Sequence, residues 1–201
     1  MKKGGILILA LFLFLTEAWA DLSYPWELKR DLEGIQVSTR PVKDSPILEF
    51  QAETVIHAPL EKVIPLFEDT GRMTEWFYKC KEAQLLKQES ADEANVYFAA
   101  DLPWPFADRD GVYRRVKMTA DGAVVYKLEA ASGTYPRQKG RVRVTYLDSE
   151  WRFTPRSDGV TAVYYRIHTA AGGFIPPGVI NRFTVSLPFK TLRKFRALLE
   201  E

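Results

Sequence analysis

Arg109 is the residue whose type and setting most clearly suggest binding chemistry. It stands between two carboxylates in Asp108-Arg109-Asp110, at the start of a predicted strand. A guanidinium presents five N–H donors in a planar fork, which suits a phosphate or a carboxylate. The alternative is a structural ion pair with Asp108, Asp110 or another carboxylate, because a buried arginine is normally paired. Both roles stay open for Arg109.

The pattern of the same strand bears on the direction in which Arg109 points. Val112, Val116 and Met118 form one apolar face, and Arg109 has the opposite phase. A bulge at Gly111 would change that phase. Without a bulge, the pattern predicts that Arg109 points away from the apolar interior.

The side chains that support enzymatic chemistry are sparse. His57 and His168 are the two histidines, and no cysteine cluster or closely spaced histidine pair accompanies them, so we expect no metal site. The motifs of a nucleophile elbow, a P-loop and a dinucleotide-binding turn do not occur. Cys80 is the single cysteine, and we interpret it as buried and inert. We therefore predict no catalytic residue, no metal and no cofactor.

The overall composition fits a domain with a large apolar interior. The 28 basic and 26 acidic residues nearly balance, so nothing suggests a nucleic acid partner. Aromatic residues make up 13% of the chain, which suits a large core or an apolar cavity.

The oligomeric state is a separate expectation, and we expect a monomer.

The first twenty residues have the three-part pattern of a secretory signal peptide. Lys2 and Lys3 precede an apolar run over 6–15, and Ala18-Trp19-Ala20 places small residues at the −3 and −1 positions of a cleavage site. The run is shorter than the ~20 residues of a membrane-spanning helix. The alternative is an uncleaved anchor. We predict that residues 1–20 are a signal peptide cleaved after Ala20, that residues 21–201 form the mature domain, and that its location is periplasmic or secreted.

Hydrophobic periodicity and turn residues predict a single α+β domain with a mostly antiparallel sheet. Asp121-Gly122 and Asp158-Gly159 are predicted hairpin turns, and Pro188 predicts a kink in the last helix. The predicted helices cover 21–31, a segment opening at Ala58-Pro59, 69–76 and 178–201. The predicted strands are 36–40, 47–57, 96–102, 112–118, 123–130, 141–147, 151–155 and 160–169.

Six segments follow one another in a distinctive order along the predicted mature chain. They are Trp26…Asp31…Gly34-Ile35…Val37…Arg40, Asp69…Trp76, Pro103-Trp104-Pro105-Phe106-Ala107-Asp108-Arg109-Asp110, Arg141-Val142-Arg143-Val144, Trp151-Arg152-Phe153-Thr154-Pro155 and Gly172-Gly173-Phe174-Ile175-Pro176…Ile180-Asn181…Pro188. In order and spacing they resemble the START (steroidogenic-acute-regulatory-related lipid transfer) family over nearly the whole predicted mature chain. The segment with Pro103-Trp104-Pro105 and Arg109-Asp110 is closest to the phosphatidylcholine-transfer branch.

This resemblance implies a helix-grip fold, in which a curved antiparallel sheet surrounds an apolar tunnel covered by the long C-terminal helix. It implies one lipid molecule per domain, without a metal or cofactor, and allows transient contact with a membrane. The candidate lipid-binding residues are Arg109, Tyr97, Trp104, Tyr126, Arg143, His168, Phe183 and Leu187. For the polar strand residues the alternative is a solvated strand face, and for the aromatic residues it is an ordinary core.

Three functions are compatible with these observations. The first is a non-catalytic carrier or sensor of one lipid outside the cytoplasm. The second is an enzyme of the polyketide cyclase or aromatase type, since such enzymes also have helix-grip folds. The third is an interaction module whose interior is filled by its own side chains.

Overall fold

A ten-stranded sheet forms most of the part of the chain that the computed structural model describes, residues 24–131, 133, 135–170 and 172–200. The predicted signal peptide lies outside these residues. The strands are β1 (Glu27–Leu32), β2 (Ile35–Val42), β3 (Ser45–Ile56), β4 (Cys80–Gln88), β5 (Glu93–Ala100), β6 (Asp108–Ala120), β7 (Ala123–Ala130), β8 (Arg141–Arg143), β9 (Tyr146–Arg156) and β10 (Val160–Ala170). The α-helices are α1 (Leu60–Glu68), α2 (Met73–Trp76) and α3 (Pro177–Glu200), with 3₁₀ turns at Thr70–Arg72 and Ser157–Gly159.

The strands follow the order β1-β2-β3-β10-β9-β7-β6-β5-β4, with antiparallel pairs throughout this path. The short strand β8 lies off this path and pairs in parallel with the first three residues of β6. Two-residue turns at Glu33-Gly34 and Asp121-Gly122 have positive φ at both positions. This is the conformation that a tight hairpin between right-twisted strands requires.

Side chains alternate between a buried and a more polar face along the central strands. In β9, Leu147, Ser149, Trp151 and Phe153 are buried, and the residues between them are less so. The buried face contributes to a continuous apolar core with α1, α2 and α3. The sheet therefore has an inner face covered by helices and an outer face in contact with solvent.

Helix α3 covers the inner face and divides into two parts. Its C-terminal part is fixed in the core, where Phe195 is fully buried and its ring lies 4.8 Å from that of Trp76. Its N-terminal part is attached to the sheet through Asn181, whose side chain accepts from Leu48 N at 3.1 Å and donates to Pro46 O at 3.2 Å. Pro188 is buried between these two parts.

The α+β class, the antiparallel sheet and the covering C-terminal helix are confirmed. The predicted helix over 21–31 is wrong where the structure describes it, because Glu27–Leu32 is an edge strand paired with β2. Strand β4, which sequence patterning did not predict, forms the other edge. The predicted strands 141–147 and 151–155 are divided differently: the break falls at 144–145, and Tyr146–Arg156 is continuous.

Candidate functional site

An apolar cavity of about 190 Å³ lies between the inner face of the sheet and the N-terminal part of α3. Most of its lining is aliphatic or aromatic and comes from β3, β5, β6, β7, β9, β10 and α3. Phe183 and Leu187, both candidates from the sequence, contribute to the α3 wall. Two tyrosines, Tyr113 and Tyr165, also line the cavity. The other polar side chains in the lining are those of Lys79, Asp101, Arg109, Ser149 and Thr169.

Arg109 lies on the inner face of β6 and lines this cavity with only 5% of its surface exposed. Its guanidinium donates hydrogen bonds to Ala107 O and, at 3.0 Å, to Gly172 O. Burial lowers the pKa of Arg109 from its ordinary value, but an arginine with so high an ordinary pKa stays charged near neutral pH. The mostly apolar cavity wall therefore has a charged guanidinium donor at Arg109, whereas its other cation, Lys79, is paired with Asp101.

The prediction that an unbulged strand would turn Arg109 away from the interior is wrong. The pairing of β5 with β6 continues without a register shift through Gly111. The inner face of β6 carries Arg109, Gly111 and Tyr113, whereas Val112 packs in a small second cluster on the outer face. A Cβ on Gly111 would lie 2.6 Å from the Phe98 ring, so this glycine makes room for a cavity-lining side chain.

The carboxylates beside Arg109 have other partners. Asp108 binds Lys81 at 2.8 Å. Asp110 is fully buried on the outer face and accepts two hydrogen bonds of 2.9 Å from Arg143. The alternative in which Arg109 pairs with either neighbour is therefore wrong.

Arg143 and Tyr97, two further candidates, belong to this outer-face network and are absent from the cavity lining. Arg143 also donates to the carbonyl oxygens of Tyr135 and Pro136. The Tyr97 hydroxyl donates to Asp110 at 3.3 Å and accepts from Arg141. Each charged group is satisfied within the protein, which is the pattern of a structural network.

The remaining three candidates also lie away from the cavity lining. Tyr126 is in the core beside α1, and its hydroxyl donates to Glu68 Oε1 at 2.7 Å. His168 is on the outer face, with Nε2 3.1 Å from Ser45 Oγ. Trp104 is 93% exposed in the loop between β5 and β6. That these three residues bind lipid stays a prediction, and their positions do not directly support it.

Two loops border the cavity, and each carries an exposed aromatic ring. The loop 101–107 contains Trp104, and the loop 172–176 contains Phe174, which is 90% exposed. Arg109 joins the two loops through its hydrogen bonds to Ala107 and Gly172. Gly172 has a φ of +65°, and a Cβ there would lie 2.9 Å from the Arg143 carbonyl oxygen, so the close approach requires glycine. We call these two loops the mouth loops.

Sequence reasoning missed two parts of the cavity wall. One is the Lys79–Asp101 ion pair, with Nζ and Oδ2 2.5 Å apart, which closes the end of β4 against the end of β5. The other is Tyr165, whose ring stacks 3.8 Å from that of Trp151 on the neighbouring strand. The alternation of β9 and β10 places both on the inner face, but alternation alone does not separate a cavity wall from a filled core.

In the described part of the chain, no helix has the length and apolar character needed to span a membrane. Among the same residues, no three His, Cys, Asp or Glu side chains are grouped closely enough to hold a metal ion.

The curved sheet, the gripping helix and the enclosed apolar cavity together define a helix-grip protein. The family model of the START domain matches residues 18–201. An uncharacterized protein of Pseudomonas aeruginosa is 37% identical over 181 residues, which cover 90% of this chain and 89% of the relative. The chain therefore belongs to the START-domain family.

Solved structures agree with this assignment. A STAR-related lipid transfer protein fragment from Xanthomonas axonopodis has 33% identity and a TM-score of 0.81, covering 88% of this chain and 99% of that one. Human StAR-related lipid transfer protein 5 shares the fold at 17% identity and a TM-score of 0.79, covering 87% and 86%. A Streptomyces aromatase/cyclase shares it at 14% identity and a TM-score of 0.54, covering 76% and 93%.

Proposed function

We propose that this protein binds one lipid molecule in its internal cavity and carries it between membranes outside the cytoplasm. The observation that carries the proposal is the combination of an apolar cavity, one buried arginine at its wall and two exposed aromatic rings on the loops beside it. The cavity favours an apolar body, since each buried CH₂ contributes about 0.8 kcal/mol. The similarity to proteins described as lipid transfer proteins supports a lipid as the ligand.

Arg109 is the group best suited to select the lipid head. The apolar wall sets affinity but discriminates weakly between lipid classes, because one methylene more or less changes binding little. A guanidinium in that wall favours a phosphate or carboxylate over a neutral head. We therefore propose an anionic or zwitterionic lipid as the ligand.

The size of the cavity implies that the protein opens to bind. A volume of about 190 Å³ is below the ~300–1,000 Å³ of pockets that enclose drug-sized ligands. The N-terminal part of α3 forms one wall of the cavity and is held to β3 through the Asn181 side chain. We propose that this wall moves outward during loading.

Exposed Trp104 and Phe174 favour a carrier over a sensor that never leaves solution. Trp104 is 93% exposed and Phe174 is 90% exposed. Large exposed apolar side chains on neighbouring loops mark an interaction surface. Aromatic rings are the side chains that insert at the interface of a bilayer. We propose that the mouth loops contact the membrane transiently during lipid exchange.

The cavity gives less support to an enzyme of the aromatase/cyclase type. His57 and His168, the chain's two histidines, do not line it. Its Lys79 and Asp101 are paired with each other. General acid–base catalysis needs a group poised to exchange protons with the substrate, and the polar lining provides no such histidine.

The direct test is to purify the protein from its native cell envelope, extract it with organic solvent and identify the extract by mass spectrometry. A single lipid class in about equimolar amount supports the carrier. A cyclised aromatic product instead of a lipid supports the enzyme, and an empty extract supports a filled interaction module. N-terminal sequencing of the same sample tests export, because cleavage after Ala20 makes Asp21 the first residue, whereas retention of Met1 contradicts it.

A further inference from the structure

One buried side chain beside the cavity has a polar group without a hydrogen-bond partner among the described residues. Trp76 is 2% exposed, and its indole nitrogen Nε1 has no hydrogen-bond partner among the described residues. No other described side chain has a fully buried nitrogen or oxygen in that condition. A buried N–H without an acceptor costs about 1–3 kcal/mol, so an unpaired one in a native fold calls for a reason.

Trp76 lines a second, much smaller cavity of about 20 Å³ that adjoins the main one. Met73, Phe77, Tyr113, Leu128 and Trp151 line both, so these side chains are the shared wall. A space of this size holds roughly one water-sized group. It is therefore large enough for a single oxygen atom, such as one at the end of a ligand in the main cavity.

Tyr113, whose hydroxyl is a second donor, also lines the small cavity. The Tyr113 hydroxyl lies 3.7 Å from Met73 Sδ, and a thioether sulfur is a weak acceptor. Burial raises the pKa of Tyr113 well above its ordinary value, so the hydroxyl keeps its proton. Trp76 and Tyr113 thus supply two N–H or O–H donors to the lining of this small cavity. Thr70 and Arg115 line it as well, and the Arg115 guanidinium already donates to Glu68 O at 3.3 Å.

We propose that this inner end is a donor subsite, in which Trp76 Nε1 and the Tyr113 hydroxyl bind an oxygen carried at the innermost end of the ligand. The inference rests on the proposed function, since it assumes that an apolar ligand occupies the main cavity. It narrows the ligand class to lipids with an acceptor at each end: a head at Arg109 and a hydroxyl or carbonyl oxygen at Trp76. A plain saturated chain would leave the indole N–H unpaired.

The strand geometry sets the length of such a ligand. Arg109 and Tyr113 are both on the inner face of β6, four residues apart. At 3.2–3.4 Å per residue their Cα atoms are about 13 Å apart. This backbone separation gives the order of magnitude of the length that a chain bound at both ends must span, so affinity should pass through a maximum as chain length increases.

Matched fatty acids test the subsite. Dodecanoic acid and 12-hydroxydodecanoic acid differ only by the terminal hydroxyl, and calorimetry on the delipidated full chain gives both dissociation constants. We expect the hydroxy acid to bind about tenfold more tightly, because it pairs the indole N–H. Trp76→Phe should reduce that preference, because only the Tyr113 hydroxyl is left as a donor, and Trp76→Phe combined with Tyr113→Phe should abolish the preference. Trp104→Phe, the same substitution at an exposed site, should preserve it.

An independent signal comes from the indole N–H resonance of Trp76, assigned by its loss in Trp76→Phe. It should move downfield with the hydroxy acid and not with dodecanoic acid. Tyr113→Phe gives a second test of the preference should Trp76→Phe fail to fold. Equal binding of the two acids, with no difference in the Trp76 resonance, would overturn the subsite and leave the proposed function standing. Binding of neither acid would count against the proposed function and against the subsite with it.

Discussion

Arg109 and Asp110 are consecutive residues that serve opposite faces of β6. The Arg109 guanidinium lies in the cavity wall and bonds to Ala107 and Gly172, whereas Asp110 binds Arg143 on the outer face. Because successive side chains of a strand point to opposite faces, one dipeptide joins the ligand cavity to a buried ion pair. Substitutions should therefore separate a role in binding from a role in stability.

Asp110→Ala should lower the free energy of unfolding by about 3–5 kcal/mol, the usual cost of leaving one charge of a buried pair alone. Arg143 would then retain only its bonds to the Tyr135 and Pro136 carbonyls. Urea denaturation measures the change. Asp108→Ala breaks a more exposed pair and should cost at most about 1 kcal/mol. Equal losses in the two variants would contradict a structural role specific to Asp110.

Arg109→Leu should weaken the binding of phosphate-bearing lipids by about 2–5 kcal/mol and largely spare neutral apolar ligands. The physical reason is that a buried head-group phosphate loses its charged donor while the apolar wall is kept. A lipid-displacement assay with vesicles of phosphatidylglycerol and with a neutral sterol measures both. Equal losses of affinity for the two ligands, together with a lower melting temperature, would show that Arg109 only holds the two mouth loops together.

A crosslink between the N-terminal part of α3 and β3 should slow lipid exchange at least about tenfold. Asn181 and Leu48 already meet through a 3.1 Å hydrogen bond, so Leu48→Cys with Asn181→Cys, in a Cys80→Ser background, places a disulfide at that contact. Fixing this wall blocks the motion that a lid requires. The reduced form of the same variant is the control. Unchanged exchange in the oxidised form would mean that lipid enters elsewhere.

Trp104→Ala combined with Phe174→Ala should reduce association with phosphatidylglycerol and phosphatidylethanolamine vesicles by at least about tenfold. Each ring loses about 1.5–3 kcal/mol of burial when it cannot enter the interface. Vesicle flotation measures the bound fraction. Leu85→Ala removes an exposed apolar side chain on edge strand β4 and should have little effect. A loss as large in that control would indicate general stickiness and not a membrane-contact surface.

Cys80 should react slowly with iodoacetamide at pH 8 and progressively faster towards pH 11. Burial raises the pKa of its thiol to about 11, and the thiolate is the reactive form. Relative to an ordinary thiol, the thiolate fraction at pH 8 is about a hundredfold lower. Mass spectrometry follows the alkylation, with urea-unfolded protein as the control. Folded and unfolded rates that agree at pH 8 would contradict the partly buried position of Cys80.

The strands that alternate cleanly were predictable from the sequence, and the edges were not. Strands β3, β7 and β10 have buried residues at every second position for most of their length, which is a strong signal. Edge strand β1 has mostly exposed residues, so it lacks the alternation of a half-buried strand. The sequence from Trp26 to Arg30 therefore resembles a short amphipathic helix. Strand β4 lacks a fully buried residue, and its pairing with β5 is fixed by the rest of the sheet.

The site was predictable only in part, for a related reason. Phe183 and Leu187 follow from the helical period of α3, and Arg109 from its unusual place between carboxylates. The face of β6 that lines the cavity was inverted because Val112 packs against Tyr97 and Ala99 on the outer face. A second apolar cluster on the wrong side of a sheet cannot be recognised from one strand alone, since it depends on which strands become neighbours.

The pairing of β3 with β10 has a consequence for how the chain reaches its native state. Phe50 is opposite Ile167, more than one hundred residues later, and this pair lies near the middle of the sheet. Closing so long a loop costs conformational entropy before the stabilising contacts between the strands can form. Sheets of high contact order therefore fold in milliseconds to seconds rather than microseconds. Until β10 emerges from the ribosome or a translocation channel, β3 and β9 present unpaired edges that invite aggregation. We therefore expect the nascent domain to need protection from aggregation until β10 is available to pair.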